Sequence, residues 1–182
     1  METSIRARLG VLKKKIVRAI PVYGHYREEE DLREWDRSIR DECISSLQRT
    51  EKQIESMLPL WVAKRDKNKI AVVESLRGNI RSRRETIRTS AYGFWPRLSP
   101  IKIDGTVLRA VLDVDESILS ASDRLLDQVT QEVARMRTIS DGDQQTKALS
   151  DLEVMLTSHI NSIETLALRR LGMLRTGKVE AT

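Results

Sequence analysis

The chain has 182 residues, of which 40% are hydrophobic, enough for one domain with a continuous core. Only 8 Gly and 4 Pro stand against 32% charged and 4% aromatic residues, a mixture that suits long amphipathic helices and argues against a strand-rich or turn-rich fold. The single cysteine excludes an intramolecular disulfide and points to a reducing, cytoplasmic setting, and no uncharged run approaches the roughly 20 apolar residues that cross a bilayer.

The net charge of +5 has a location. Residues 1–20 hold Arg6, Arg8, Lys13, Lys14, Lys15 and Arg18 against Glu2, which leaves 26 basic and 26 acidic groups in the other 162 residues. The sequence therefore reads as a neutral body behind a basic leading segment. That segment has no continuous apolar core followed by a cleavage site, so it does not read as an export signal.

Within residues 1–20, Ile5, Leu9, Leu12, Ile16 and Ile20 recur at spacings of 4, 3, 4 and 4, which puts them on one side of a helix while the basic groups occupy most of the rest. Pro21 ends it.

The acidic cluster Glu28, Glu29, Glu30, Asp31 then suits the positive end of a helix dipole. The helix behind it carries Leu32, Trp35, Ile39, Cys43, Leu47, Thr50, Ile54, Met57 and Trp61 at a mean period of about 3.6. Pro59 lies inside the pattern and predicts a kink or stop near Leu58. Cys43 falls on the stripe and reads as a small buried hydrophobe.

A third helix is expected over residues 68–91, with Ile70, Val73, Leu76, Ile80 and Ile87 on one face. Residues 92–105 hold two of the four prolines and a concentration of aromatics, and form the substantial non-helical connection. The fourth helix, residues 106–137, carries Val107, Val111, Val114, Ile118, Ala121, Leu125, Val129, Val133 and Met136. Ser140, Asp141, Gly142 and Asp143 supply a turn and a cap. The fifth, residues 144–174, carries Leu149, Leu152, Leu156, Ile160, Ile163, Ala167, Leu171 and Leu174 and ends in a tail containing Gly177. A short link between two helices of similar length predicts an antiparallel hairpin.

The expected fold is thus all-α: an elongated antiparallel bundle of about four long helices behind a basic amphipathic N-terminal helix, divided at residues 1–20 and 21–182 with an internal boundary at 92–105. Leu32, Trp35, Ile39, Ile80, Val111, Ile118, Leu125, Leu152, Ile160 and Ile163 are expected in the core.

Chemistry is sparse. A di-iron bundle needs Glu-x-x-His motifs on two helices, and neither His25 nor His159 has Glu three residues before it. Phosphate loops and dinucleotide fingerprints are absent. No catalytic residue, metal ligand, cofactor or small-molecule substrate is assigned.

Two basic features remain. Arg77, Arg81, Arg84 and Arg88 form a line beside the Leu76/Ile80/Ile87 stripe that could grip phosphates. If the second and third helices are antiparallel, the line instead meets Glu34, Asp36, Asp41 and Glu42 and is neutralised. The other feature is residues 1–20, where Ile5, Arg6, Arg8, Leu9, Leu12, Lys13, Lys14, Lys15, Ile16 and Arg18 could contact an anionic membrane surface or a partner groove. The plainer reading is that this helix covers one end of the bundle.

The two turns Tyr23-Gly24-His25-Tyr26 and Tyr92-Gly93-Phe94-Trp95 share a pattern and would meet at one end of the bundle, near Trp35. With Ile20, Pro21, Tyr23, Gly24 and Tyr26, then Glu28, Asp36 and Arg40, the first resembles the opening signature of an archaeal and bacterial family of helical-bundle proteins. The second signature resembles Thr89 to Phe94, followed by Lys102, Ile103, Asp104 and a helix containing Asp115, while Trp95-Pro96-Arg97 departs from the family's pattern. The resemblance spans about residues 18–120 and implies a helical fold without an assigned activity. The order of an amphipathic helix before a long hairpin is also similar, in architecture only, to phage-shock-type membrane-associated proteins.

The function expected from the sequence is a non-enzymatic scaffold or adaptor that self-associates or binds a partner protein and sits peripherally at the inner membrane face. The alternative is a nucleic-acid-associated protein using the N-terminal helix and Arg77 to Arg88.

Overall fold

A computed structural model describes residues 26–89 and 105–179 together with Gly10, with side chains described at 35, 37–88 and 106–179. Five helices follow in order: α1 (Tyr26–Glu55), α2 (Leu58–Lys64), α3 (Lys67–Thr89), α4 (Gly105–Thr138) and α5 (Gly142–Thr176). No strand occurs among the described residues, and the architecture is an all-α bundle of four long helices. The N-terminal helix expected over residues 1–20 lies outside the described residues except for Gly10, as do the two Tyr-Gly turns except for Tyr26.

The helix boundaries have local causes. Pro59 cannot donate to the preceding turn, so α1 stops at Glu55 and Pro59 takes a place in the first turn of α2, where its missing N–H costs nothing. The apolar stripe nevertheless runs on unbroken, and Ile54, Met57 and Trp61 are all fully buried. The chain leaves α2 through Arg65, whose φ of 54° is left-handed. Asp66 then opens α3, its carboxylate accepting the Lys69 backbone N–H at 3.1 Å and the Lys69 ammonium at 2.7 Å. Between α4 and α5, Asp141 accepts the Asp143 N–H at 2.8 Å, and Gly177 closes α5 with φ 63° and its N–H on the Met173 carbonyl at 2.9 Å.

Long-range hydrogen bonds fix the topology. Trp35 with Asp115, Cys43 with Ser122 and Ser56 with Arg137 are separated by 80, 79 and 81 residues, and so constant an offset means that α1 and α4 run parallel. Glu55 pairs with Arg77 and Glu51 with Arg81 and Arg84, a falling number against a rising one, so α1 and α3 are antiparallel. The α4–α5 pair is the hairpin expected from its short link. The main packing pairs are α4 with α5, α1 with α4 and α1 with α3, while α3 meets α5 more lightly. The consecutive helices α3 and α4 are not among them, so the bundle is not a simple ring of sequence neighbours.

The stripes read from the sequence form one core. Trp35, Ile39, Ile80, Val111, Ile118, Leu125, Leu152, Ile160 and Ile163 are all buried, whereas the side chain of Leu32 lies outside the described residues. Ile70 and Ile87, at the two ends of the α3 stripe, and Ala167 and Leu171 on α5 are only partly buried.

Candidate functional site

Burying a charge is costly unless it is paired and hydrogen-bonded, so a charged residue with no solvent exposure demands an account. Asp115 has 0% exposure, in the midst of the apolar α4 stripe between Val111, Val114 and Ile118. One carboxylate oxygen accepts from Arg170 Nε of α5 at 2.5 Å and the other from the indole Nε1 of Trp35 of α1 at 2.7 Å. Three helices thus converge on one carboxylate. Arg170 is itself buried, so the pair is locked in a low-dielectric setting.

A second polar seam continues along α1 and α4. Ser46 Oγ donates to the Ser122 carbonyl at 3.0 Å, Thr50 donates back to the Ser46 carbonyl at 3.0 Å, and Ser122 donates to the Ile118 carbonyl at 2.9 Å. Cys43 Sγ lies 3.3 Å from Ser122 Oγ. Burial pushes the Cys43 thiol up from its ordinary pKa, with the Ser122 contact opposing and the charges of Asp123 and Glu42 adding to the shift. Cys43 is therefore a neutral core residue, as its place on the stripe implied.

Beside these groups a cavity of about 260 Å³ opens between α1, α3, α4 and α5. Its deep wall is aliphatic, and its exposed rim is Arg83 and Thr86 of α3 and Leu168 of α5. Arg83 pairs with Glu164 across the α3–α5 opening at 2.5 Å.

The arginine line is neutralised within the molecule, though not by the acids that an unshifted antiparallel pairing suggests. Arg77 pairs with Glu74 at 2.7 Å and Glu55 at 3.2 Å, Arg81 and Arg84 each reach Glu51 at 2.7 Å, and Arg88 reaches Glu85 at 3.2 Å. The register places Arg77, Arg81 and Arg84 against the C-terminal end of α1, whereas Asp41 is exposed at its middle and Glu42 is taken by Arg49 at 3.1 Å. The side chains of Glu34 and Asp36 lie outside the described residues. Glu51 feels burial, which pushes its carboxyl up, but the hydrogen bond from Arg81 and the charges of Arg81, Arg84 and Arg77 together hold it below the ordinary glutamate value.

The remaining site residues named from sequence, Ile5 to Arg18, lie outside the described residues. The Asp115–Arg170–Trp35 cluster was not assigned from sequence. Its signal was present in two opposite charges, each placed inside an apolar stripe, on the two helices of one hairpin. Among the described residues no group of three His, Cys, Asp or Glu side chains could hold a metal ion, and no helix is long and apolar enough to cross a membrane.

Fold and site together define a helical bundle with a buried three-helix charge cluster and an adjoining apolar cavity. In comparisons with protein families, curated proteins and solved structures, nothing matches this chain.

Proposed function

We propose that the chain is a non-enzymatic helical scaffold or adaptor that attaches to an anionic membrane surface through residues 1–20. One observation carries this reading: the sequence places the whole net charge of +5 in residues 1–20, and the conspicuous basic feature outside them, Arg77 to Arg88, spends its charge on Glu51, Glu55, Glu74 and Glu85. A nucleic-acid binder needs uncompensated cations facing outward. An arginine row that bonds its own protein's carboxylates offers a phosphate backbone little. The basic leading segment, with its apolar positions on one helical face, has the composition that lies in a headgroup region.

The test is co-sedimentation of the full chain with vesicles of phosphatidylcholine and phosphatidylserine. Binding is expected to weaken as salt rises, because the Debye length falls from about 10 Å at 0.1 M to about 3 Å at 1 M. Replacing Lys13, Lys14 and Lys15 by Gln should cost about 3 kcal/mol, on the order of a hundredfold in partition, at about 1 kcal/mol per basic group near the surface. Duplex DNA binding that disappears in the Arg81→Gln/Arg84→Gln chain, with no vesicle binding, would replace this reading by the nucleic-acid one. A folded chain that binds neither would leave residues 1–20 as a partner-protein contact or a cap on the bundle.

A further inference from the structure

The cavity between the four long helices has a cause in the sequence. The inward stripe of α3 runs Val73, Leu76, Ile80 and then resumes only at Ile87, because Arg83 and Arg84 stand where the next apolar residue would fall and are drawn aside, Arg83 to Glu164 at the exposed rim and Arg84 to the buried Glu51. Opposite this gap α5 supplies the small Ala167 between Ile163 and Leu171. Two adjacent shortfalls in side-chain volume leave the opening. A packed interior ordinarily closes such gaps, since voids forfeit dispersion contacts along their whole lining.

The polar side chains that border it each have a partner already, although the buried Nη1 of Arg170 makes no hydrogen bond. Arg83 holds Glu164, Asp115 holds Arg170 and Trp35, and Cys43 faces Ser122. Arg40 and Thr86, also on its border, have partners of their own. A ligand entering here finds balanced charge and aliphatic walls. A charged ligand would lose its hydration and gain no counter-ion in return.

We propose that this cavity is a binding site for an uncharged aliphatic chain of medium length, admitted between α3 and α5 beside the Arg83–Glu164 pair. Its volume of about 260 Å³ sets the size class. An apolar cavity of about 150 Å³ in another protein stays dry and takes up benzene, so one aromatic ring underfills this one, whereas a chain of about ten carbons or a pair of fused rings uses its length. The most complete apolar pocket with a few fixed polar groups is where a small molecule binds by preference. This inference does not rest on attachment through residues 1–20.

The experiment is a fluorescence titration of the full chain with the uncharged probe N-phenyl-1-naphthylamine, followed by displacement with 1-decanol and with decanoate. The expected result is saturable one-to-one enhancement, displaced at least tenfold more effectively by decanol than by decanoate. Ala167→Phe, which fills the cavity from α5, should weaken probe binding at least tenfold while keeping the helical circular dichroism and an equal or higher melting temperature. Leu171→Phe should do the same from the next turn. The chain with Lys13, Lys14 and Lys15 changed to Gln should bind the probe as the parent does, which separates this site from the membrane reading. The proposal is overturned if the parent gives no saturable enhancement, if decanoate displaces better than decanol, or if both filled variants bind like the parent. Should one variant unfold, the other carries the comparison. Should both unfold, the parent decides: decanol raises its melting temperature if the cavity takes the alcohol, and an unmoved melting temperature overturns the proposal.

Discussion

The Trp35 indole and the Asp115 carboxylate meet at 2.7 Å across 80 residues of sequence, and the same carboxylate receives Arg170 from the third helix of the cluster. Removing one partner of a buried ion pair strands the other charge, which costs about 3–5 kcal/mol, whereas replacing both by apolar side chains of similar volume is often close to neutral. Arg170→Met alone should therefore destabilise the bundle by about that amount, and the Asp115→Leu/Arg170→Met double variant by clearly less. Urea denaturation of the four corners of this cycle measures it; a double variant as unstable as the sum of the singles would show that the two residues do not act as a pair.

The two buried tryptophans should respond differently to loss of the indole nitrogen. Trp35→Phe removes a hydrogen bond to an ionised acceptor, worth about 1.5–3 kcal/mol, in addition to packing. Trp61 has no hydrogen-bond partner for its Nε1 among the described residues, so Trp61→Phe gives up packing alone. Thermal denaturation of the two variants should rank Trp35→Phe as the less stable; the opposite order would mean that packing around Trp61 outweighs the Asp115 contact.

Glu51 titrates below its ordinary value because two arginines bond it. A folded-state pKa held below the unfolded one contributes stability above the unfolded value, about 4.3 for glutamate, and loses it as pH falls through the folded value. Glu51→Gln should lower stability at pH 7 by about 1 kcal/mol, kept small because Arg81 is largely exposed and solvent screens it. The gap between parent and variant should close as pH falls below about 4. A gap that stayed constant from pH 7 to pH 3 would assign the cost to packing.

Cys43 should be unreactive in the folded chain. Burial pushes its thiol up, so at pH 8 the thiolate fraction is below that of a free cysteine, and the side chain is 2% exposed. Its contribution to stability is fully present below the unfolded thiol pKa, about 8.5, and is lost as pH rises through the folded value. Ellman's reagent should titrate one thiol promptly in denaturant and far more slowly without it, and Cys43→Ala should flatten the alkaline limb of the stability curve. Rapid native labelling would show that the α1–α4 seam opens.

Core truncations should also differ by place. Leu125→Ala, in the fully packed middle of α4, should cost about 2–5 kcal/mol, and Ile118→Ala, which faces the existing cavity, should fall near the lower end of that range. Chemical denaturation of both compares them; an Ile118→Ala cost above that of Leu125→Ala would mean that the cavity wall is more tightly held than its open neighbour implies.

Much of this fold was legible in the sequence because the 3.6-residue period reports burial directly. The stripes on α1 and α4 were read nearly residue for residue, and Pro59 marked the α1–α2 break to within a few positions. What periodicity does not carry is register between helices. The row Arg77 to Arg88 was expected to find acids, yet it meets Glu51 and Glu55, because α2 and the turns around it add length between α1 and α3. The Asp115–Arg170 pair was hidden for the same reason. Each charge alone looks like an interruption of an apolar stripe, and only the pairing of two helices turns two interruptions into one contact. The cavity was legible in part, since the empty inward position between Ile80 and Ile87 is visible in the spacing, while its match with Ala167 is a matter of register.

The parallel course of α1 and α4 also bears on synthesis. The inner face of α1 emerges from the ribosome about 80 residues before the helix that shares its buried hydrogen bonds, a delay of roughly 4 to 16 s at about 5–20 residues per second. Among the described helices, only α2 and α3 are at hand in that interval to shield Trp35, Ile39 and Leu47. The α4–α5 hairpin, by contrast, closes on itself as soon as it is made. The apolar stripe of α1 is therefore the one that waits longest for its cover during synthesis.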